Sequence, residues 1–244
     1  MKTNRTDQRM EENVEFSWDA PIVLDYDQNI KRKIAGYELL HDITGRLMES
    51  AIDTSRSTNE LLIIGAGGGK ELVSLAQNHP FWRFTAVDSS KLMLDMAKRR
   101  AEESHIMERV RFFQGTLDQC ADGTIYDAAT CLLVLHFVQG MNEKRQLLRE
   151  IASRLQSGAP FFLASLNGEP DQAVFEVQLT AWKNHMLSQG VSEEEFAKFK
   201  NSIGQSTEPI SSEKLYSLLE ECGFTDISRY FGSYLIDGFM AFKK

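Results

Sequence analysis

The sequence is poor in cysteine, has no long apolar run and carries no excess of basic charge. Cys120, Cys131 and Cys222 are too few for a disulfide framework, and their spacing matches no CxxC or Cys/His zinc pattern. They read as buried or half-buried thiols in a reducing compartment, and no metal is expected. No apolar stretch approaches the roughly 20 residues needed to span a bilayer. Residues 1–12 (MKTNRTDQRMEE) are polar and lack the apolar centre of a secretion signal, so they read as a flexible tail on a cytoplasmic chain with no membrane partner. Against 35 acidic residues stand 27 basic ones, a net charge of −8 that disfavours a broad phosphate-binding face and argues against nucleic acid as an obligate partner. What remains is ordinary globular material, 42% hydrophobic and 25% charged. The 244 residues correspond to about 1.6 domains of typical size, one enlarged domain or two small ones.

Periodicity divides the chain. Apolar residues recur at helical spacing from Ile30 to Ile52, predicting one or two amphipathic helices. The run Leu61–Ile64 then predicts a strand, stopped by five residues containing four glycines and followed by a helix through Leu72, Leu75 and Ala76. The alternation repeats with strands at Phe81–Val87, Val110–Gln114, Tyr126–Leu133 and Pro160–Leu166, with helices from Ser90 and over Asn142–Leu155. Such alternation indicates a mostly parallel sheet covered on both faces. After Gly168 two helices follow without a strand between them, Val174–Gln189 and Ser192–Ile203, the second opened by a Ser192/Glu195 capping-box spacing. A helix from Ser211/Ser212 is closed by Gly223, and strands Thr225–Phe231 and Tyr234–Phe242 are parted by Gly232-Ser233, a hairpin signal.

The strongest chemical signal is LLIIGAGGGKE, residues 61–71. Glycines at a strand-to-helix turn admit a ligand close to the backbone, and the free N–H groups of the following helix face it. Asp88 ends the next strand, 23 residues after Gly65, where a carboxylate can accept both hydroxyls of a ribose. The dinucleotide fingerprint requires glycine at its sixth position, which here is Lys70; the glycines fall instead at 65, 67 and 69. A nicotinamide cofactor is therefore disfavoured.

That spacing resembles the first motif of class I S-adenosylmethionine-dependent methyltransferases. So do VDSSKLMLDMAKRR, RVRFFQGTL, YDAATCLLVLHFV and LLEECGF, in the order and spacing of that superfamily. The stretches YDQNIKRKIAGYELL and RYFGSYLIDGFMAFKK are similar to the carboxy-S-adenosylmethionine synthases of tRNA wobble-uridine modification and their methyltransferase relatives. The resemblance implies an α/β Rossmann-like sheet of seven strands, order 3-2-1-4-5-7-6 with strand 7 antiparallel. It would form one domain over residues 13–244, with a helical cap made from residues 20–55 and an insert at 169–208.

The resemblance also implies a cofactor site. Tyr37 would reach over from the N-terminal helix, and Gly65-Ala66-Gly67 would lie under the methionine half of S-adenosylmethionine. Asp88 would hold the ribose with Ser89 beside it, Thr116 and Leu117 would flank the adenine, and Leu132 would touch the cofactor from the fourth strand. Thr116 departs from the aspartate more common there, and Lys200 stands where the synthases use an arginine to pair with the extra carboxylate of their cofactor. Lysine lacks the bidentate fork, which favours the ordinary cofactor; the alternative for Lys200 is a solvated helix residue.

Methyl transfer from a sulfonium requires alignment more than proton transfer, and His136, just past the fourth strand, is the candidate base or substrate contact, with simple packing as the alternative. Trp18, Tyr26, Trp182 and His185 fall in the N-terminal and insert segments and either select the substrate or pack. The expected activity is methyl transfer to a small-molecule acceptor, leaving S-adenosylhomocysteine. The alternatives are a carboxy-S-adenosylmethionine synthase and a non-catalytic module that only binds the cofactor. Acceptor choice and oligomeric state have no motif, because acceptor selection in such folds resides in variable caps.

Overall fold

The computed structural model describes residues 26–244 apart from 54, 55, 121 and 122, so Trp18, the 1–12 tail and the Tyr26 side chain lie outside the described parts. Helices α1 (Tyr26–Lys33) and α2 (Tyr37–Ala51) come first. An alternating series follows: β1 (Asn59–Ile64), α3 (Lys70–Asn78), β2 (Trp82–Asp88), α4 (Lys91–Glu103), β3 (Val110–Gln114), β4 (Ala128–Leu132), α5 (Met141–Arg154) and β5 (Pro160–Leu166). Helices α6 (Ala173–Ser188), α7 (Glu193–Ser202) and α8 (Ser212–Glu221) precede the closing strands β6 (Phe224–Ser233) and β7 (Ile236–Lys243).

These strands make one sheet of order β3-β2-β1-β4-β5-β7-β6. The first five are parallel and β7 runs antiparallel to both its neighbours, as the sequence predicts. Both faces are dry, and the period of two sorts each strand between them. Leu61 and Ile63 of β1, Ala128 of β4 and Phe162 and Ala164 of β5 enter one cluster with α2, α3 and α6. Leu62, Ile64, Ala129, Cys131, Phe161 and Leu163 enter the other with α5 and α8.

Most elements match the sequence reading within two residues, and the departures with a structural cause are at β4 and the last hairpin. β4 is shorter, because Tyr126 makes an isolated bridge to Leu155 and Leu133 leaves the strand with a left-handed φ of 62°. The last hairpin turns at Tyr234-Leu235, since Ser233 pairs with Ile236 and Gly232 with Asp237 inside the ladder. Gly232 is thus a ladder residue rather than a turn residue, beside Arg229, whose Nε donates to Asp237 Oδ1 at 2.6 Å.

The N-terminal helices and the insert hold each other. Buried Phe175, Leu179, Trp182 and Met186 line one face of α6. Trp182 Nε1 donates to the Lys33 carbonyl at the end of α1, and Arg32 Nε to the Gln189 carbonyl at 2.9 Å. Replacement of Trp182, only 2% exposed, by alanine removes both a large buried ring and this bond. Urea unfolding should show a loss of about 3–5 kcal/mol, and hydrogen exchange should show α1 losing protection ahead of the sheet.

Candidate functional site

The turn from β1 to α3 is fixed from several sides. Gly65 combines φ 68° with a neighbour that leaves no room, since a Cβ would lie 2.2 Å from Val134 Cγ2. Gly69, at φ 82°, approaches α4 so closely that a Cβ would lie 2.8 Å from Ala97 Cα. From the same helix Arg100 Nη1 donates to the Gly68 carbonyl at 2.8 Å. The Gly65 and Ala66 N–H groups both donate to the Val87 carbonyl, at 2.8 and 3.0 Å.

Asp88 ends β2 and joins the parts. Its Oδ2 accepts the Gly67 N–H at 2.8 Å and its Oδ1 the Ser90 N–H at 2.9 Å. Ser90 caps α4 in turn, Oγ accepting the Met93 N–H at 3.1 Å. A carboxylate offers about four acceptor sites, so these bonds and a pair of ribose hydroxyls are compatible. The end of β3 lies alongside, the Gly115 N–H donating to the Asp88 carbonyl at 2.9 Å. Exposed Ser89 and Thr116 and buried Leu117 follow directly, with the Thr116 N–H donating to Gln119 Oε1 at 3.1 Å.

A cavity opens beside this turn. Of the sequence-predicted residues it gathers Tyr37, Gly65, Ala66, Gly67 and Leu132; it adds His41, Gly68, Lys70, Glu71 and Leu133. Tyr37 and His41 meet edge to face, ring centres 4.6 Å apart. Leu133 is held in its left-handed conformation by donating to the Ala164 carbonyl at 2.7 Å. A non-glycine residue there stores of order 1–3 kcal/mol of strain, which clusters where structure serves binding.

His136 is outside that lining. It is buried, and its Nδ1 accepts the Leu166 N–H at 3.1 Å, which places the neutral ring's proton on Nε2 and leaves neither nitrogen as a base. Burial, then the nearby Lys144 charge, pushes its pKa down to about 3. This geometry does not fit a general base. The His136 carbonyl accepts the Glu208 N–H at 2.7 Å, and Glu208 Oε2 accepts from Gly140 N at 2.6 Å and from the wholly buried Lys144 Nζ at 2.9 Å. The Lys144 ammonium and Gly140 amide hold the Glu208 carboxyl below its usual range. The loop after β4 is thus pinned to the segment that follows α7.

Of the cap candidates, Trp182 and His185 pack against Tyr234, ring centres 6.4 and 5.9 Å away. Lys200 is exposed, its Nζ 3.3 Å from Glu176 Oε2. Among the described residues no group of three or more His, Cys, Asp or Glu side chains could hold a metal, and no helix is long and apolar enough to cross a membrane.

Glu71 and His41 escaped the sequence reading because polar residues on amphipathic helices are ordinarily solvated. Their spacing carried a signal: Glu71 lies four residues before Leu75, and His41 four after Tyr37 and seven before Met48, all on buried faces. Burial pushes the Glu71 carboxyl up to about 7, opposed by the hydroxyl of Thr130. An acid with a raised folded pKa keeps its proton where the unfolded chain has lost it, so stability falls as pH rises from about 4.5 to 7 and stays lower above. From the shift to about 7, Glu71→Gln should be roughly 3 kcal/mol more stable than the native chain at pH 8. At pH 4 the two should unfold at nearly the same urea concentration; an equal gap at both pH values would show that the carboxyl does not titrate with folding.

Comparison with known proteins agrees with this geometry. The family described as "Methyltransferase domain" matches residues 62–161, from β1 into β5. A carboxy-S-adenosyl-L-methionine synthase of Campylobacter jejuni is 23% identical over 229 residues, 94% of each chain. An O-methyltransferase family 2 protein from Planctomyces limnophilus, solved with apigenin, shares the fold with a TM-score of 0.58 and 16% identity; the match takes in 89% of this chain but only 62% of that one. An O-methyltransferase family protein from Burkholderia thailandensis gives 0.58 at 14% identity, over 91% of this chain and 69% of its own. With the glycine turn, the strand-end aspartate and the sheet order in place, the chain shares the fold of these methyltransferases and matches the methyltransferase domain family over residues 62–161.

Proposed function

We propose that the chain transfers the methyl group of S-adenosylmethionine to a small-molecule acceptor in the cytoplasm, releasing S-adenosylhomocysteine. The joint between Gly67 and Asp88 carries this reading, because it sets a strand-end carboxylate against a glycine turn at the carboxyl ends of β1 and β2, where open α/β sheets bind ligands. Asp88 and Ser89 take the ribose, the Gly65–Gly67 backbone the methionine half, Thr116 and Leu117 the adenine, while Tyr37 and Leu132 close the cavity. The acidic net charge and three free cysteines support a small acceptor and a reducing compartment.

Bound S-adenosylmethionine supplies a methyl on a sulfonium that already bears positive charge. What the chain itself contributes is alignment, an effect worth up to ~7–11 kcal/mol in favourable cases. Leu132, Leu133 and Tyr37 supply apolar wall to the cavity, and no base is needed. His136 holds the loop after β4 through Nδ1 rather than moving a proton. His136→Asn retains an acceptor near the Nδ1 position and should lower kcat less than tenfold, with an unchanged pH profile. A loss of the 10²–10⁴-fold expected for a missing base would restore the catalytic role.

A second reading, synthesis of carboxy-S-adenosylmethionine, is favoured by the 94% coverage of the Campylobacter jejuni relative. Against it, the Lys200 ammonium is committed to Glu176 at the surface. Mass spectrometry of ligand carried through purification should find S-adenosylmethionine or S-adenosylhomocysteine, and incubation with methyl-labelled cofactor and a metabolite extract should label a small molecule. A carboxylated cofactor would transfer the chain to the synthases; no labelled product in any extract would make it a binding module.

A further inference from the structure

Three buried polar atoms around the glycine cavity have no hydrogen-bond partner among the described residues: Nδ1 and Nε2 of His41, and Oε1 of Glu71. Their residues are only 8% and 7% exposed, and both line the cavity beside Gly65–Gly68. Buried polar groups are nearly always paired, so three orphan atoms at one cavity indicate a partner that enters it.

The neighbours of Glu71 define the partner's charge. His41 on α2 is neutral at physiological pH, because burial lowers its pKa to about 4. On β4, the Thr130 hydroxyl adjoins the Glu71 carboxyl, outside hydrogen-bond geometry with it, and carries no charge, while Cys131 is held protonated, its pKa pushed up to about 12 by burial. Burial likewise raises the pKa of Tyr230 on β6, whose hydroxyl is 2.6 Å from Thr44 Oγ1. Lys70 beside Glu71 on α3 has its Nζ 3.2 Å from Glu38, which also pairs with Lys31. Among the described residues an ionised Glu71 is left without a cation of its own. Uncompensated buried anions are strongly disfavoured, and a cation brought by a ligand removes the penalty.

We infer that Glu71 and His41 form a receiving site for a protonated amine, Glu71 as the anion and His41 as a neutral hydrogen-bond acceptor. The inference rests on the cofactor reading above. Two sources can bring such a group here, the α-ammonium of the cofactor's methionine half and an amine on the acceptor.

Calorimetric titration separates them. S-adenosylhomocysteine carries the α-ammonium, whereas 5′-methylthioadenosine has the same nucleoside without it. If the cofactor supplies the amine, Glu71→Gln weakens S-adenosylhomocysteine tenfold or more and 5′-methylthioadenosine less than twofold. Native binding of S-adenosylhomocysteine then tightens about tenfold from pH 6 to pH 8 as Glu71 is stripped of its proton, and the variant loses that dependence. If the acceptor supplies it, the variant binds S-adenosylhomocysteine like the native chain, while benzylamine binds the native S-adenosylhomocysteine complex and not the variant's. His41→Leu should show the same pattern with a smaller loss, and thermal unfolding confirms that each variant is folded. Equal binding of all three ligands by native and variant chains overturns the site. Failure of the native chain to bind either nucleoside overturns the cofactor reading itself.

Discussion

The carboxylate of Asp88 is the point on which the site's architecture depends. One oxygen fixes the middle of the glycine turn and the other fixes the turn into α4, so a single side chain sets the starting positions of two helices. Negative charge near helix N-termini is favourable, which makes the same group a stabiliser of both helices. Arg100 and Ala97 then return from α4 to the glycine turn, closing a ring of contacts around residues 65–69. The turn is preorganised by bonds within the protein and does not need a ligand to shape it.

The opposite wall has a different origin. Beyond β4 the backbone adopts the left-handed conformation at Leu133, and a buried lysine and a carboxylate from outside the sheet hold the loop in place. Removing one partner of such a pair strands the other charge, which makes the arrangement stiff. Through Glu208 the geometry of the cavity wall depends on the segment after the insert, and through Trp182 and Arg32 the insert depends on the N-terminal helices. The cap is therefore mechanically continuous with the wall that faces the glycine turn.

Strand identity was legible because strands buried on both faces read as short apolar runs, and because the glycines and Asp88 sit at their ends; the sheet order came from the family resemblance those residues carry. The last hairpin was misread at Gly232, which pairs with Asp237 inside the ladder rather than lying in the turn. His136 shows a deeper limit. Its place after β4 was readable, but whether a ring nitrogen holds a backbone amide depends on β5, 30 residues later. Tyr37, the glycines and Leu132 came together at the cavity because each lies at an element's end, where position in the chain fixes position in space.

Glu71 illustrates how local consistency fails where binding is served. At the first turn of α3 a glutamate agrees with the helix dipole, yet its carboxyl is buried against β4 without a cation, and folding has to bear the cost of keeping it protonated. A glutamine of the same shape would satisfy the helix without that cost. Departures of this kind are expected where a sequence answers to a ligand as well as to its fold. The acidic net charge of the whole chain has no bearing on this choice, since exposed charges are screened over about 8–10 Å of salt solution. What matters is one buried carboxyl at the cavity wall, where the absence of a compensating charge among the described residues is itself the specificity the chain can offer a cationic group.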